Sequence, residues 1–319
     1  MTKRPLKMEA VQCGVCHSDN WRPFAKGKDY EYHTSDDEFN MVECTSCSNV
    51  YLNPRPVKDE LSTIYPPNYY AYNYDSSINA LALKAKDFLD ARKIRSWLSH
   101  VSNPKSVRFL DVGCGNGRYL KMLHQLGVPK ENLFGVEMSE EAIAGLNQEG
   151  YRGFYGRIED CFEKLPRGSF DLIVILQVLE HVEDPSVVVK QLGQLLAPGG
   201  VLIVETPNTK SLDVAIFRQS YWGGYHFPRH WNLFSKDTLA RMTEESQLRV
   251  KEFNFLPAHT FWIFSFQHMI AERTKIAWLK EFFNPFQNVV LLSLATGFDI
   301  VRAKFGFATS NIQLVAEKP

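Results

Sequence analysis

Between residues 107 and 206, short apolar runs alternate with stretches whose apolar positions recur every three or four residues. That alternation predicts repeated βαβ units and a mostly parallel sheet. Strands are expected at 107–112, 132–137, 152–155, 170–176 and 201–205, with helices at 118–126, 140–148 and 186–196. The run 170–176 reads as a buried strand, and Pro198-Gly199-Gly200 as a turn before the strand at 201–205.

The flanks read differently. Residues 1–60 hold two cysteine pairs and several turn formers, and 61–75 are a tyrosine-dense linker. Over 78–100 the spacing predicts a helix with Leu81, Phe88, Ile94 and Trp97 on one face. After Pro207 comes an irregular stretch of about 28 residues containing Tyr221, Trp222, Tyr225, Phe227 and Trp231, too aromatic for a disordered loop. Ser235 then predicts the N-cap of a helix over 237–247. A sixth strand is expected at 248–255 and a seventh at 311–316, with a mostly helical, apolar insertion at 257–308 that would lid a site between them. The expected division is 1–60, a metal-binding module; 61–100, linker and helix; and 101–319, the main domain.

Charge and composition narrow the partners. Lys+Arg and Asp+Glu are both 36, so no net field draws the chain to nucleic acid, and no nucleic-acid partner is expected. Residues 1–10 lack the apolar stretch of a secretory signal, and no run reaches the roughly 18–20 apolar residues of a spanning helix. Six cysteines without such a signal point to metal or free thiols and a cytoplasmic location. Cys13-x-x-Cys16 and Cys44-x-x-Cys47 are two knuckles whose four thiolates suit tetrahedral zinc. Four protein ligands leave no open position, so the Zn2+ expected in this zinc-ribbon-like module is structural. His17 and Ser48 stand where a glycine often follows the second cysteine of each knuckle.

Phe109-Leu-Asp-Val-Gly-Cys-Gly-Asn-Gly117 places a glycine-rich turn between a strand and a helix. Gly113, Gly115 and Gly117 allow close backbone approach, and the helix N-terminus beyond favours a carboxylate. Phe134-Gly-Val-Glu137 ends the second strand with an acid able to accept both hydroxyls of a ribose, or to cap the following helix. The pair predicts a nucleoside cofactor; an NAD enzyme would also place an acid there.

The remaining motifs are Ser169-Phe-Asp-Leu-Ile-Val-Ile-Leu-Gln-Val-Leu-Glu-His-Val182 and Leu195-Leu-Ala-Pro-Gly-Gly-Val-Leu-Ile-Val-Glu205. In this order with the two above, they make the chain resemble the class I S-adenosylmethionine-dependent methyltransferases. The resemblance implies an α/β, Rossmann-like fold: a seven-stranded, mostly parallel sheet with helices on both faces. It also implies that Asp111, Gly113, Cys114, Gly115 and Gly117 face the methionine moiety of S-adenosyl-L-methionine, although Cys114 also reads as a packing residue. Glu137 would hold the ribose, Met138 would pack on the adenine, Ile158 and Glu159 would line its edge, and Gln177 would sit near the methionine. Arg157 replaces the acid often found beside Ile158.

The two cysteine pairs, Val50-Tyr-Leu-Asn-Pro-Arg-Pro56, Ile64-Tyr-Pro-Pro-Asn-Tyr-Tyr70 and residues 226–235 are similar to a narrower group. These are bacterial methyltransferases with an N-terminal four-cysteine zinc module, acting on sugars, antibiotics or surface glycans. The expected partner is therefore a small-molecule or glycan acceptor, sugar-like, methylated on oxygen in preference to carbon. Related sugar C-methyltransferases have one residue between two histidines where His226 and His230 here have three, and they carry a further C-terminal domain. His181, His226 and His230 are the candidate general bases, since histidine accepts protons near neutral pH. Arg229 is a candidate for an anionic substrate group, and Tyr69, Tyr70 and Tyr225 for the acceptor ring. The insertion offers homodimerisation or peripheral membrane contact, so monomer and homodimer both stay open. A catalytically inactive cofactor-binding regulatory protein and an NAD-dependent oxidoreductase are the alternative functions.

Overall fold

The protein, a computed structural model described over residues 3–67, 80–274, 276–284 and 288–319, opens with five short strands: β1 (Met8–Glu9), β2 (Trp21–Gly27), β3 (Phe39–Cys44), β4 (Val50–Leu52) and β5 (Arg55–Pro56). β2, β3 and β4 pair antiparallel, and β1 pairs with β5. Helices α1 (Leu61–Ile64) and α2 (Ala80–Leu98) lead to the main sheet. Ile94 and Trp97 of α2 are buried, but Phe88 is 60% exposed. At 100° per residue Phe88 lies about 120° round the helix from Ile94, so the expected common face does not include it.

The βα alternation then follows as predicted, with one short helix, at Ile158–Cys161, that the spacing did not announce: β6 (Phe109–Val112), α3 (Arg118–Gln125), β7 (Leu133–Glu137), α4 (Glu140–Gln148), β8 (Arg152–Tyr155), α5 (Ile158–Cys161), β9 (Phe170–Leu176), α6 (Pro185–Leu195) and β10 (Leu196–Pro207). The chain continues through α7 (Leu212–Phe217), β11 (Asn232–Leu233), α8 (Lys236–Glu245), β12 (Arg249–Leu256), α9 (His259–Arg273), α10 (Ala277–Phe282), α11 (Val289–Lys304) and β13 (Asn311–Glu317). Among the described residues the main sheet has seven strands, ordered β8-β7-β6-β9-β10-β13-β12. β8 to β10 are parallel neighbours, and β13 runs antiparallel between β10 and β12. Leu172 to Ile175 of β9 are fully buried, as an apolar run covered on both faces should be. Helix starts follow local capping chemistry: Ser139, Asp184 and Ser235 each accept a backbone N–H in the first turn of α4, α6 and α8. The Pro198-Gly199-Gly200 turn lies inside β10, as a break in register between Leu196 and Val201.

The aromatic stretch after Pro207 is more ordered than its sequence predicts. It contains α7, a 3-10 turn at Gly223–Tyr225, and β11, which pairs with β4 and extends the N-terminal sheet to β11-β4-β3-β2. The Trp231 N–H donates to the Glu180 carbonyl (2.8 Å), and the Leu52 N–H to the Trp231 carbonyl (2.9 Å). Cys13, Val15, Val42, Cys44 and Tyr51 share one buried cluster with Leu110, Phe134 and Ile175 of the main sheet. The N-terminal module is therefore packed into the same core as the main domain.

The insertion is the helical hairpin α9 to α11, pinned by buried Asp299, which accepts from Trp262 Nε1 and the Ala258 N–H (3.1 Å each). An apolar cavity of about 230 Å³ lies between α9 and α11, lined by residues such as Trp262, Phe266, Leu294 and Phe298, and shares no residue with the histidines described below. Among the described residues no helix is long and apolar enough to cross a membrane.

Candidate functional site

The glycine turn leaves β6 in a conformation that side chains resist. Gly113 and Gly117 take φ of +81° and +74°; a Cβ would lie 2.4 Å from Val178 at the first and 2.3 Å from Leu146 at the second. At Gly115 a Cβ would meet nothing within 4 Å among the described residues. Glu137, at the end of β7, braces the turn: Oε2 accepts the Gly115 N–H (2.9 Å), while Oε1 accepts those of Met138 (2.7 Å) and Ser139 (3.2 Å). Beneath lies Asp111, with Oδ2 buried and without a hydrogen-bond partner among the described residues. Burial, and then the charge of Glu137, pushes the Asp111 carboxyl up to about 7 against the pull of Lys93. A buried acid without a hydrogen-bond partner among the described residues, beneath the glycine turn and with a second carboxylate at the next strand end, fits the amino-acid and ribose ends of S-adenosylmethionine.

Not every expected cofactor residue presents its side chain there. Cys114 packs into the core against Gly135, and burial holds its thiol well above the usual range. Ile158 is likewise a core residue, so only main chain is left there to meet an adenine. Glu159 is turned to Arg157 (2.8 Å), which also pairs with Glu183. Gln177 has φ +54° and donates from Nε2 to Asn311 (2.9 Å), tying the end of β9 to the start of β13. Met138 is exposed.

The three candidate histidines converge. Ring centroids are 4.7 Å apart for His181 and His230, 5.0 Å for His226 and His230, and 6.5 Å for His181 and His226. His230 Nδ1 donates to the Gly224 carbonyl (2.8 Å). His181 Nδ1 lies 3.0 Å from the Arg229 carbonyl, which only accepts, so the proton sits on Nδ1; the Tyr65 hydroxyl is 2.8 Å from the same nitrogen. Burial pushes His181 down to about 3 and His230 well below its ordinary value, and the crowding of the rings works in the same direction. Oε1 of Glu180 is buried beside them without a partner among the described residues, 4.0 Å from His230 Nε2, and burial pushes this carboxyl up to about 8. His226 differs: its Nδ1 lies 2.7 Å from Oε1 of Glu31.

Two expected substrate contacts are corrected. Arg229 is fully buried, donating to both oxygens of Asp29 (3.1 and 3.0 Å) and to the Phe227 carbonyl (2.9 Å), beneath the Tyr32 ring. It is a structural ion pair and cannot reach a substrate anion. Tyr225 is buried among Trp222, Phe227 and Phe24, and its hydroxyl donates to the Arg218 carbonyl, so it is loop packing. Tyr69 and Tyr70 lie outside the described residues. Asp29 and Glu31 had no sequence signal: both lie in the loop between β2 and β3, about 200 residues from their partners.

The four knuckle cysteines come together, one sulfur from each lying within 4.8 Å of the others, with Cys13–Cys47 and Cys16–Cys44 at 3.5 Å. Zinc–sulfur bonds of about 2.3 Å in a tetrahedron need sulfurs about 3.8 Å apart, so the set fits the ion. His17 and Ser48 adopt φ of +56° and +62°, supplying without glycine the left-handed turn after each knuckle. His17 is directed to Asp184 and Ser186, away from the sulfurs.

Residues 84–252 match a family described as a methyltransferase domain. The ubiquinone biosynthesis O-methyltransferase of Pseudomonas aeruginosa strain UCBPP-PA14 is 34% identical over 119 residues, 35% of this chain and 50% of the relative. That of Dechloromonas aromatica strain RCB is 32% identical over 133 residues, 39% and 56%. The chain spans about half the length of these curated relatives. A solved structure of a SAM-dependent methyltransferase from Archaeoglobus fulgidus is 18% identical with a TM-score of 0.47, covering 75% of this chain and 100% of that one.

Proposed function

The chain belongs to the methyltransferase-domain family, and from that premise we propose that it transfers a methyl group from S-adenosylmethionine to an oxygen of a small-molecule acceptor. S-Adenosylmethionine, when bound, supplies a methyl carbon on a positively charged sulfur, and that bond breaks with its electron pair on sulfur. The chain's own part is positioning and proton transfer. The glycine turn offers main-chain contacts, and Glu137 the remaining acceptor capacity of its carboxylate. His226 takes the hydroxyl proton at Nε2 as the acceptor oxygen bonds to the methyl carbon. The observation that carries this role is the 2.7 Å contact between His226 and Glu31, because a carboxylate stabilises the imidazolium that forms. His181 and His230, pushed far below neutrality, are poor proton acceptors.

The name of the curated relatives supports oxygen as the methylated atom. It lends nothing to the sugar-like acceptor that the narrower resemblance implied, so the acceptor is held to a small molecule bearing a hydroxyl group. Zinc on Cys13, Cys16, Cys44 and Cys47 would be structural, tying residues 1–60 to the domain at 101–319. Calorimetry with S-adenosylmethionine and NAD tests the cofactor: binding of NAD alone would overturn the reading. Binding of S-adenosylmethionine without turnover across hydroxylated acceptors would favour a regulatory protein.

A further inference from the structure

The loop between β2 and β3 reaches from the N-terminal sheet into the histidine cluster. Its Asp29 anchors Arg229, and two residues on, Glu31 meets His226. Both side chains of the second pair are nearly buried, at 9% and 6% exposure. His226 itself has φ +41°, a left-handed backbone that non-glycine residues rarely adopt. Such strain persists where the surrounding structure over-determines a side-chain position.

We propose that Glu31 is the positioning carboxylate of His226: it accepts the Nδ1 proton, fixes the lone pair on Nε2, and stabilises the ring once the acceptor's proton has arrived. This rests on His226 being the general base. The charge of Glu31 is directed to one partner. Burial works against its ionisation, yet the contact with His226 and the nearby Arg229 hold it below its ordinary value. Arg229 is already matched by Asp29, and His268, which faces the loop from α9, is pushed by burial down to about 4 and stays neutral. Among the described residues, the other rings facing His226 include Tyr32, edge-on at 6.2 Å, and the neutral His181 and His230. Glu31 thus differs from the carbonyls that hold His181 and His230, since a carbonyl fixes a tautomer without favouring the charged ring. The module built on the cysteine pairs thereby contributes to the acid–base apparatus as well as to the fold.

The test uses the full chain labelled with 15N-histidine, because long-range proton–nitrogen spectra read the tautomer of each ring. The wild-type protein should show His226 protonated on Nδ1. Glu31→Leu should move the proton to Nε2, and Glu31→Gln, whose amide oxygen still accepts, should keep it on Nδ1. A purely structural role of Glu31 would not produce that split. A wild-type ring protonated on Nε2, or a Glu31→Leu ring still on Nδ1, overturns the proposal; the wild-type spectrum decides alone should Glu31→Leu fail to fold. Calorimetry of the same samples with S-adenosylmethionine separates the two readings. A wild-type chain that does not bind it removes the proposed function, and the tautomer still decides the Glu31–His226 assignment.

Discussion

Removing the Asp29 carboxylate should cost this fold more than any change at its surface. Asp29 and Arg229 are both fully buried and bonded through two parallel contacts, and Asp29 also accepts from the hydroxyl (2.6 Å) and the N–H (2.8 Å) of Thr34. In Asp29→Ala the guanidinium keeps the Phe227 carbonyl but loses its counter-charge, and breaking one side of a buried pair typically costs about 3–5 kcal/mol. At roughly 2–4 °C per kcal/mol for domains of 150–250 residues, the melting temperature should fall by roughly 6–20 °C. Circular dichroism melts at pH 7 measure this directly. The double variant Asp29→Leu/Arg229→Met should regain most of the loss, because no charge is then left unmatched. The pH dependence follows from the same pair. Burial alone would raise the Asp29 carboxyl, but the hydrogen bonds and charge of Arg229 hold it well below the usual carboxylate range. Its contribution is complete above the unfolded value of about 3.9 and is lost as pH falls toward the folded one. The gap between wild type and Asp29→Asn should therefore hold at neutral pH and close only below about pH 4. An Asp29→Ala protein melting within about 2 °C of wild type would refute the buried-pair account.

Glu137→Ala should weaken S-adenosylmethionine binding at least roughly tenfold, the value of one hydrogen bond to a charged group; unchanged affinity in calorimetry removes Glu137 from the site. Glu180, raised to about 8 by burial, binds a proton in the folded state that the unfolded chain releases above about pH 4.3, so its ionisation erodes stability as pH rises between those values. Glu180→Gln should accordingly melt higher than wild type at pH 8, with the difference gone near pH 4. Cys44→Ser should lower the bound zinc, read by atomic absorption, from one ion per chain toward none, and melt well below wild type; full zinc occupancy would show that Cys44 is not a ligand.

What was legible in the sequence was local. The strands of the main sheet and helix α4 fall where the apolar periodicity puts them, and Ser235 caps its helix, because burial on a sheet and the first turn of a helix are decided by residues a few positions apart. The paired knuckle spacing was legible too: the four cysteines gather into one cluster, and each turn that carries a pair is encoded in four residues.

The histidine loop was not readable in the same way. Arg229, beside His226 and His230, looked like a residue meant for a substrate, since an arginine among histidines in a long loop carries no local reason to be buried. Its reason is Asp29, 200 residues away in the chain. The same separation hides Glu31, in a tyrosine-flanked segment with no catalytic signature. Both pairings depend on β11 docking onto β4, and β11 is only two residues long, too short for periodicity to reveal. That junction sets the loop between β2 and β3 over the C-terminal ends of the main strands, where ligands of such sheets bind. A change that unseats β11 should therefore disturb the histidine cluster while leaving the glycine turn and Glu137 intact, so on the proposed reading turnover should fall while calorimetry still registers S-adenosylmethionine binding.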